Sequence, residues 1–157
     1  MARKGGSEEG YQGNGTWVHA RDARYAARDA ITIGCTEVTR DDYTDPSRAL
    51  EGSYVDSDGK PGVGLVMQFG RAAEAQAYFD LYLKQVRACT RADGPVVATV
   101  VPSALGLIDR RTYPGEDEWT EMGRVQGDRL VLVILTDHGH KITKAQAEAV
   151  LRQIGGR

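Results

Sequence analysis

The sequence has little of what most catalytic and metal-binding sites require. It contains three histidines and two cysteines among 157 residues. It has no Gly-x-Ser-x-Gly turn, which is typical of many hydrolases, and its glycines form no phosphate-binding loop between a strand and a helix. These absences favour a protein that is not an enzyme, and we expect no cofactor.

Charge imbalance and long apolar runs are also missing. The formal net charge is −2, from 20 basic and 22 acidic residues, so the chain has no long-range attraction toward phosphate and nucleic acid is not an expected partner. The longest apolar run, Leu130 to Leu135, is far shorter than the roughly 20 residues of a membrane-spanning helix. The hydrophobic share of 41% nevertheless predicts a globular fold.

The chain length fits one domain, since domains commonly have about 100–150 residues. Five glycines fall within residues 1–15, so we predict a disordered lead-in there and a single α+β domain over residues 16–157. The polar start has no hydrophobic signal core. The chain is therefore either cytosolic or a mature or truncated form that has lost an export signal or a lipid anchor.

The cysteines, Cys35 and Cys89, lie 54 positions apart, which excludes a Cys-x-x-Cys redox or zinc motif. A disulfide between them would close a long loop and stabilise the fold by roughly 4 kcal/mol in the chain-entropy description. Two buried free thiols, behaving as small apolar side chains, are the alternative. Export would favour the disulfide.

A strand–turn–strand–helix pattern occurs twice, over residues 49–89 and 118–154. In the first copy, Asp58-Gly59 is a typical hairpin turn, and an apolar stripe at helical spacing follows over 71–89. Two such units predict an antiparallel sheet with helices packed on one face and a groove where the units meet. Tyr54 and Trp119 are candidate groove residues, although ordinary packing on the sheet explains them equally.

Local patterns refine this arrangement. The run Leu130–Leu135 is apolar on both faces, which predicts a central strand covered on both sides. Thr143 and Gln146 have the spacing of a capping box, so we expect the last helix to begin there. The alanines within Trp17–Ala30 favour a helix, and the β-branched residues of Ile31–Val38 predict a strand.

The segment Asp137-His138-Gly139-His140 holds the only closely spaced pair of histidines. Two imidazoles and a carboxylate are suitable zinc ligands. Zinc sites usually have a third or fourth protein ligand, however, and the remaining histidine, His19, is distant in sequence. We therefore expect a polar loop and no metal.

Two segments resemble the PknH-like extracellular sensor domains of actinobacteria and related small lipoproteins. Leu83–Cys89 is similar to that family's helix with a cysteine near its end, and Gly123–Ile134 is similar to its carboxy-terminal hairpin. The family usually has an aromatic residue where this chain has Val86, and it often has four cysteines. The resemblance implies an α+β domain with a cleft, displayed outside the membrane, that senses or binds a ligand.

The leading hypothesis is a non-enzymatic ligand-binding or sensor domain of the bacterial cell envelope, extracellular or membrane-anchored in its full-length form. Its partner would be an unidentified small molecule or envelope protein. The alternative is a cytosolic α+β interaction module, homodimeric or of the immunity type. A third hypothesis is a metal enzyme that uses Asp137, His138 and His140.

Overall fold

The computed structural model describes residues 17–55, 61–115, 118–137 and 141–155. These ranges contain seven strands: β1 (Trp17–Arg21), β2 (Arg48–Val55), β3 (Pro61–Gln68), β4 (Val97–Val100), β5 (Leu107–Thr112), β6 (Glu118–Gln126) and β7 (Arg129–Thr136). They also contain three helices: α1 (Ala23–Ile31), α2 (Ala72–Arg87) and α3 (Lys144–Gly155). The predicted α+β class is confirmed.

The strands form one antiparallel sheet in the order β1-β2-β3-β7-β6-β5-β4. The hairpins β2–β3 and β6–β7 are joined through β3 and β7, where Leu65 lies opposite Leu132. The strand predicted over Leu130–Leu135 is therefore central. The hairpin β2–β3 is followed by α2, and the hairpin β6–β7 is followed by α3.

The helices lie on both faces of the sheet, which differs from the expected arrangement on one face. The face with Leu65 and Leu132, which we call the α2 face, packs against α1 and α2. The opposite face, with Met122 and Val133, packs against Leu151 and its neighbours in α3; we call it the α3 face. The residues that follow β3 and β7 point to opposite faces, and this decides where each helix packs.

The amino-terminal part also differs from the expectations. Residues 17–21 form β1, and α1 begins after Asp22, whose carboxylate accepts a hydrogen bond from the Tyr25 backbone N–H at 3.1 Å. The strand predicted over Ile31–Val38 is wrong: Ile31 ends α1, and the residues that follow are irregular. Ile31 is completely buried, so its burial in the core under α1 overrides its β propensity.

Local sequence signals shape the second hairpin and its helix, where the predicted capping box is confirmed. Gly127 has φ of +60° in the turn between β6 and β7, where glycine is favoured. The Thr143 backbone N–H donates to Gln146 Oε1 at 2.9 Å, and the Gln146 N–H donates to Thr143 Oγ1 at 3.2 Å. The predicted turn at Asp58-Gly59 and the lead-in over residues 1–15 lie outside the described residues.

A disulfide joins Cys35 to Cys89, with their Cα atoms 5.2 Å apart. Cys35 follows α1 and Cys89 follows α2, so the bond links the two helical segments that cover the α2 face. The Tyr78 hydroxyl of α2 also donates to the Ala27 carbonyl of α1 at 2.5 Å. The layer over the α2 face is therefore held by a covalent bond and by a buried hydrogen bond.

Candidate functional site

A cavity of about 250 Å³ opens on the α2 face where β3 meets β7. This is the seam between the two repeated units, at which the sequence predicts a groove. Its lining comes from two helices, α1 and α2, and from six strands of the sheet: Arg21, Ala26, Asp29, Ala30, Glu51, Val63, Leu65, Tyr82, Arg111, Glu121, Leu132 and Ile134.

The seam itself forms an apolar wall. Val63 lies opposite Ile134 and Leu65 opposite Leu132 across the antiparallel pair, so four branched side chains share one patch. The residues of α1 that line the cavity on its other side include Ala26 and Ala30. Because methyl side chains fill little space, the helix can lie near the sheet and still leave room.

One end of the cavity is polar and is lined by Tyr82, Arg111 and Glu121. Together with Asp109, which is completely buried, these side chains form what we call the buried ion cluster. Asp109 on β5 lies directly opposite Glu121 on β6. Arg111 donates to Asp109 Oδ1 at 2.9 Å, to Glu121 Oε1 at 2.5 Å and to the Tyr82 oxygen at 2.8 Å. The Tyr82 hydroxyl donates to Glu121 at 2.6 Å.

Burial changes the protonation of this cluster. The pKa of Glu121 is raised to about 8, because burial and the charge of Asp109 raise it by more than the charge of Arg111 lowers it. Burial also raises the pKa of Tyr82 well above its usual value. For Arg111, burial lowers the pKa, but the charge of Glu121 and its neighbours more than offsets this. The cluster therefore contains a permanent cation and a carboxyl that titrates near neutral pH.

A second set of charged side chains lies at the other end of the cavity, near β1 and β2. Arg21 donates to Glu51 Oε2 and to Asp29 Oδ2, each at 2.8 Å. Glu51 is the less exposed partner, with 13% of its side chain accessible against 63% for Asp29. The cavity thus has an apolar middle between two charged ends, a combination typical of sites for small organic molecules.

The candidate residues from the sequence contribute little to this site. Trp119 is partly buried on β6, two positions before Glu121, and it does not belong to the cavity lining. Tyr54 belongs to β2, but its side chain lies outside the described residues. Both therefore remain predictions as groove residues.

Asp137 has partners other than a metal. Its carboxylate accepts from the Thr120 hydroxyl at 2.7 Å and from Arg110 at 3.4 Å, on the α3 face. His138 and His140 lie outside the described residues. In the parts of the chain that the structure describes, no three His, Cys, Asp or Glu side chains form a group that could hold a metal ion.

Sequence reasoning missed the buried ion cluster, although a signal was present. Asp109 and Arg111 alternate within a predicted strand, so they point to one face. Glu121 lies in the next predicted strand. Charged residues are rarely buried unless they are paired, and the strand register that pairs these side chains is a tertiary property.

Comparison with solved structures finds the same fold in the extracellular domain of PknH from Mycobacterium tuberculosis. The TM-score is 0.53 at 16% sequence identity, and the match covers 87% of this chain and 75% of the other. No protein-family model matches the sequence, and neither does any curated protein. Of the helices in the described ranges, none combines the length and apolar character of a membrane span.

Proposed function

We propose that this chain is a non-enzymatic sensor domain of the bacterial cell envelope, which binds a small organic ligand in the cavity of the α2 face. The observation that carries this proposal is the joining of an apolar wall, at the β3–β7 seam, to a buried ion cluster at one end. The ligand would place an apolar body against Leu65 and Leu132 and a hydrogen-bonding group near Glu121 and Arg111.

Two further observations support an extracellular location, and our proposal adds anchoring in the full-length form. The Cys35–Cys89 disulfide is a kind of bond that persists in oxidising compartments, and the fold is that of an extracellular domain. Protein isolated from the native envelope, alkylated with and without reductant, should gain mass at two cysteines only after reduction. Alkylation of both thiols without reductant would contradict the location.

Filling the cavity tests ligand binding directly. Ala30→Phe places a ring in the cavity from α1, whereas Ala77→Phe places the same ring on the exposed side of α2. Native mass spectrometry of protein purified from its own cells should show a bound small molecule in the wild type and in Ala77→Phe, but not in Ala30→Phe. A ligand retained by all three proteins would exclude the cavity as its site, and no ligand in any of them would contradict the proposal.

One observation favours a second candidate, a homodimeric interaction module. Val18 and Leu50 are 55% and 48% exposed on the α3 face of β1 and β2, and Val66 lies opposite Leu50 on β3. A second copy could cover this apolar strip. Sedimentation of the wild type should then show a dimer that Leu50→Lys converts to monomer. A wild-type monomer at high concentration would remove this candidate.

A further inference from the structure

A second pocket, of about 320 Å³, lies on the other side of α1 from the cavity of the α2 face. We call it the α1 pocket. It lies between α1 and the segment over residues 38–45, and its polar and aromatic lining includes Arg24, Tyr25, Arg28, Arg40, Tyr43 and Asp45. None of these residues lines the cavity described above.

The α1 pocket has an excess of positive charge in a chain whose net charge is −2. Arg24 and Arg28 are four residues apart, so they are neighbours on one side of α1 and repel each other. Within the described parts of the chain neither makes an ion pair, whereas Arg21 on β1 binds two carboxylates. Arg40 forms an ion pair with Asp45 at 2.9 Å. The pocket lining therefore contains three guanidinium groups and a single carboxylate.

The rest of the pocket is aromatic and apolar. Tyr25 is 55% exposed, and the Arg24 guanidinium carbon lies 6.0 Å from the centre of its ring. Tyr43 is held in place by an edge-on contact with the buried Tyr78, with ring centres 5.3 Å apart. Ile31 is completely buried beneath the pocket. A ring can therefore lie against tyrosine and isoleucine while an attached anion faces the arginines.

Two of the arginines act electrostatically on the Tyr43 hydroxyl. Burial and the charge of Asp45 raise the pKa of Tyr43, while the charges of Arg28 and Arg40 lower it. The hydroxyl thus lies within the electrostatic field of guanidinium groups from both walls of the pocket. An anion placed there would interact with both walls at once.

We propose that the α1 pocket binds a phosphate monoester carried on a small ring. A phosphate monoester offers three oxygens and up to two negative charges to the planar forks of arginine, whereas a carboxylate offers two oxygens and one charge. Occupation would also remove the repulsion between Arg24 and Arg28. This proposal does not depend on the cavity of the α2 face or on its ligand.

The first test is calorimetric titration of the folded chain with phenyl phosphate at fixed ionic strength, beside phenol and inorganic phosphate. Phenyl phosphate should bind more tightly than either, because it alone combines the ring and the anion. Arg24→Ala with Arg28→Ala should weaken it by about tenfold or more, since each removes a charge-assisted hydrogen bond. Asp45→Asn, which frees Arg40, should strengthen binding severalfold.

The matched control is Arg87→Ala with Arg129→Ala. These arginines are exposed, lie outside the α1 pocket, and their loss changes the net charge equally. Circular dichroism checks that every variant is folded. Equal weakening in both double variants, or equal affinity for phenyl phosphate and inorganic phosphate, would overturn the proposal, as would absence of binding in the wild type.

Two natural sources of this chemistry can be separated with vesicles. Phosphatidylcholine vesicles are prepared with and without a phosphorylated phosphatidylinositol, a lipid that carries a phosphate monoester on its inositol ring. Co-sedimentation that depends on this lipid and on Arg24 and Arg28 assigns the site to a membrane headgroup. Binding of phenyl phosphate without co-sedimentation assigns it to a soluble ligand. In either case phenyl phosphate binds the wild type, so both outcomes support the proposal, and absence of that binding contradicts it.

Discussion

The two strand–strand–helix units have the same order of elements, yet their helices pack on opposite faces of the sheet. Two adjacent antiparallel strands are related by a twofold rotation about an axis perpendicular to the sheet, and this rotation does not exchange the two faces of the sheet. True structural copies would therefore place both helices on one face. Comparison of the residues that follow β3 with those that follow β7 shows why these two units differ.

After β3 the chain stays on the α2 face. Phe69 continues the alternation of Leu65 and Met67, is 1% exposed, and its ring centre lies 5.4 Å from that of Tyr78. Helix α2 begins only three residues later, at Ala72. With so short a connection, the helix packs over the face to which Phe69 already points.

After β7 the chain leaves on the α3 face. Asp137 is the first residue beyond β7, and Thr120 and Arg110 on that face donate to its carboxylate. Arg110 also donates to the Ile142 carbonyl at 2.5 Å, just before α3. Polar bonds therefore hold both described ends of the connection, Asp137 and Ile142, on the α3 face.

This difference gives the two faces of the sheet different contents. The α2 face carries the disulfide, the buried ion cluster and the cavity. The α3 face, under α3, has a small apolar core whose fully buried members are Ile108, Met122, Ala147 and Leu151. The repeated pattern predicts where the units meet, whereas the side chains after each hairpin decide which face each helix covers.

The largest expected effect comes from removal of the disulfide. The double variant Cys35→Ala, Cys89→Ala should lower the free energy of unfolding by about 4 kcal/mol, because the bond restricts a long loop in the unfolded chain. Urea unfolding measures this loss. Hydrogen exchange should show faster opening of α1 and α2 than of α3 in the variant, and equal acceleration in all three helices would contradict the separation of the two faces.

The next effect is a dependence of stability on pH that originates on the α2 face. The pKa of Glu121 is about 8 in the folded protein, against an ordinary value of 4.5. Between these values the folded protein holds a proton that the unfolded chain has released. The free energy of unfolding should therefore fall as pH rises through this range, by up to about 1.4 kcal/mol per pH unit, and level off above it.

Urea unfolding at a series of pH values tests this dependence. Glu121→Gln resembles the protonated carboxyl, so it should flatten the curve while Tyr82, Asp109 and Arg111 still surround the site. Glu118→Gln, an exposed substitution on the same strand, should leave the slope unchanged. A steep slope that persists in Glu121→Gln would show that another group carries it.

The comparison also shows how far sequence alone can reach. Patterns that depend on neighbours in the chain are reliable here: the apolar run over Leu130–Leu135 gives a central strand, and Thr143 with Gln146 caps α3. The strand predicted over Ile31–Val38 is wrong because burial of Ile31 in the core outweighs local propensity. The buried ion cluster needs the pairing of β5 with β6, and the choice of face by α3 needs Asp137 to meet residues far away in sequence.

The smallest effect should come from Asp137→Asn, which tests whether this carboxylate holds the connection on the α3 face. An amide keeps the shape but presents donors to Thr120 and Arg110, so we expect a loss of about 1–2 kcal/mol in the free energy of unfolding. Hydrogen exchange should accelerate in α3 and stay unchanged in α2. Asp80→Asn, exposed on α2, is the control. If Asp137→Asn loosened α2 as much as α3, the two connections would not act independently, and the face chosen by each helix would need a cause elsewhere in the core.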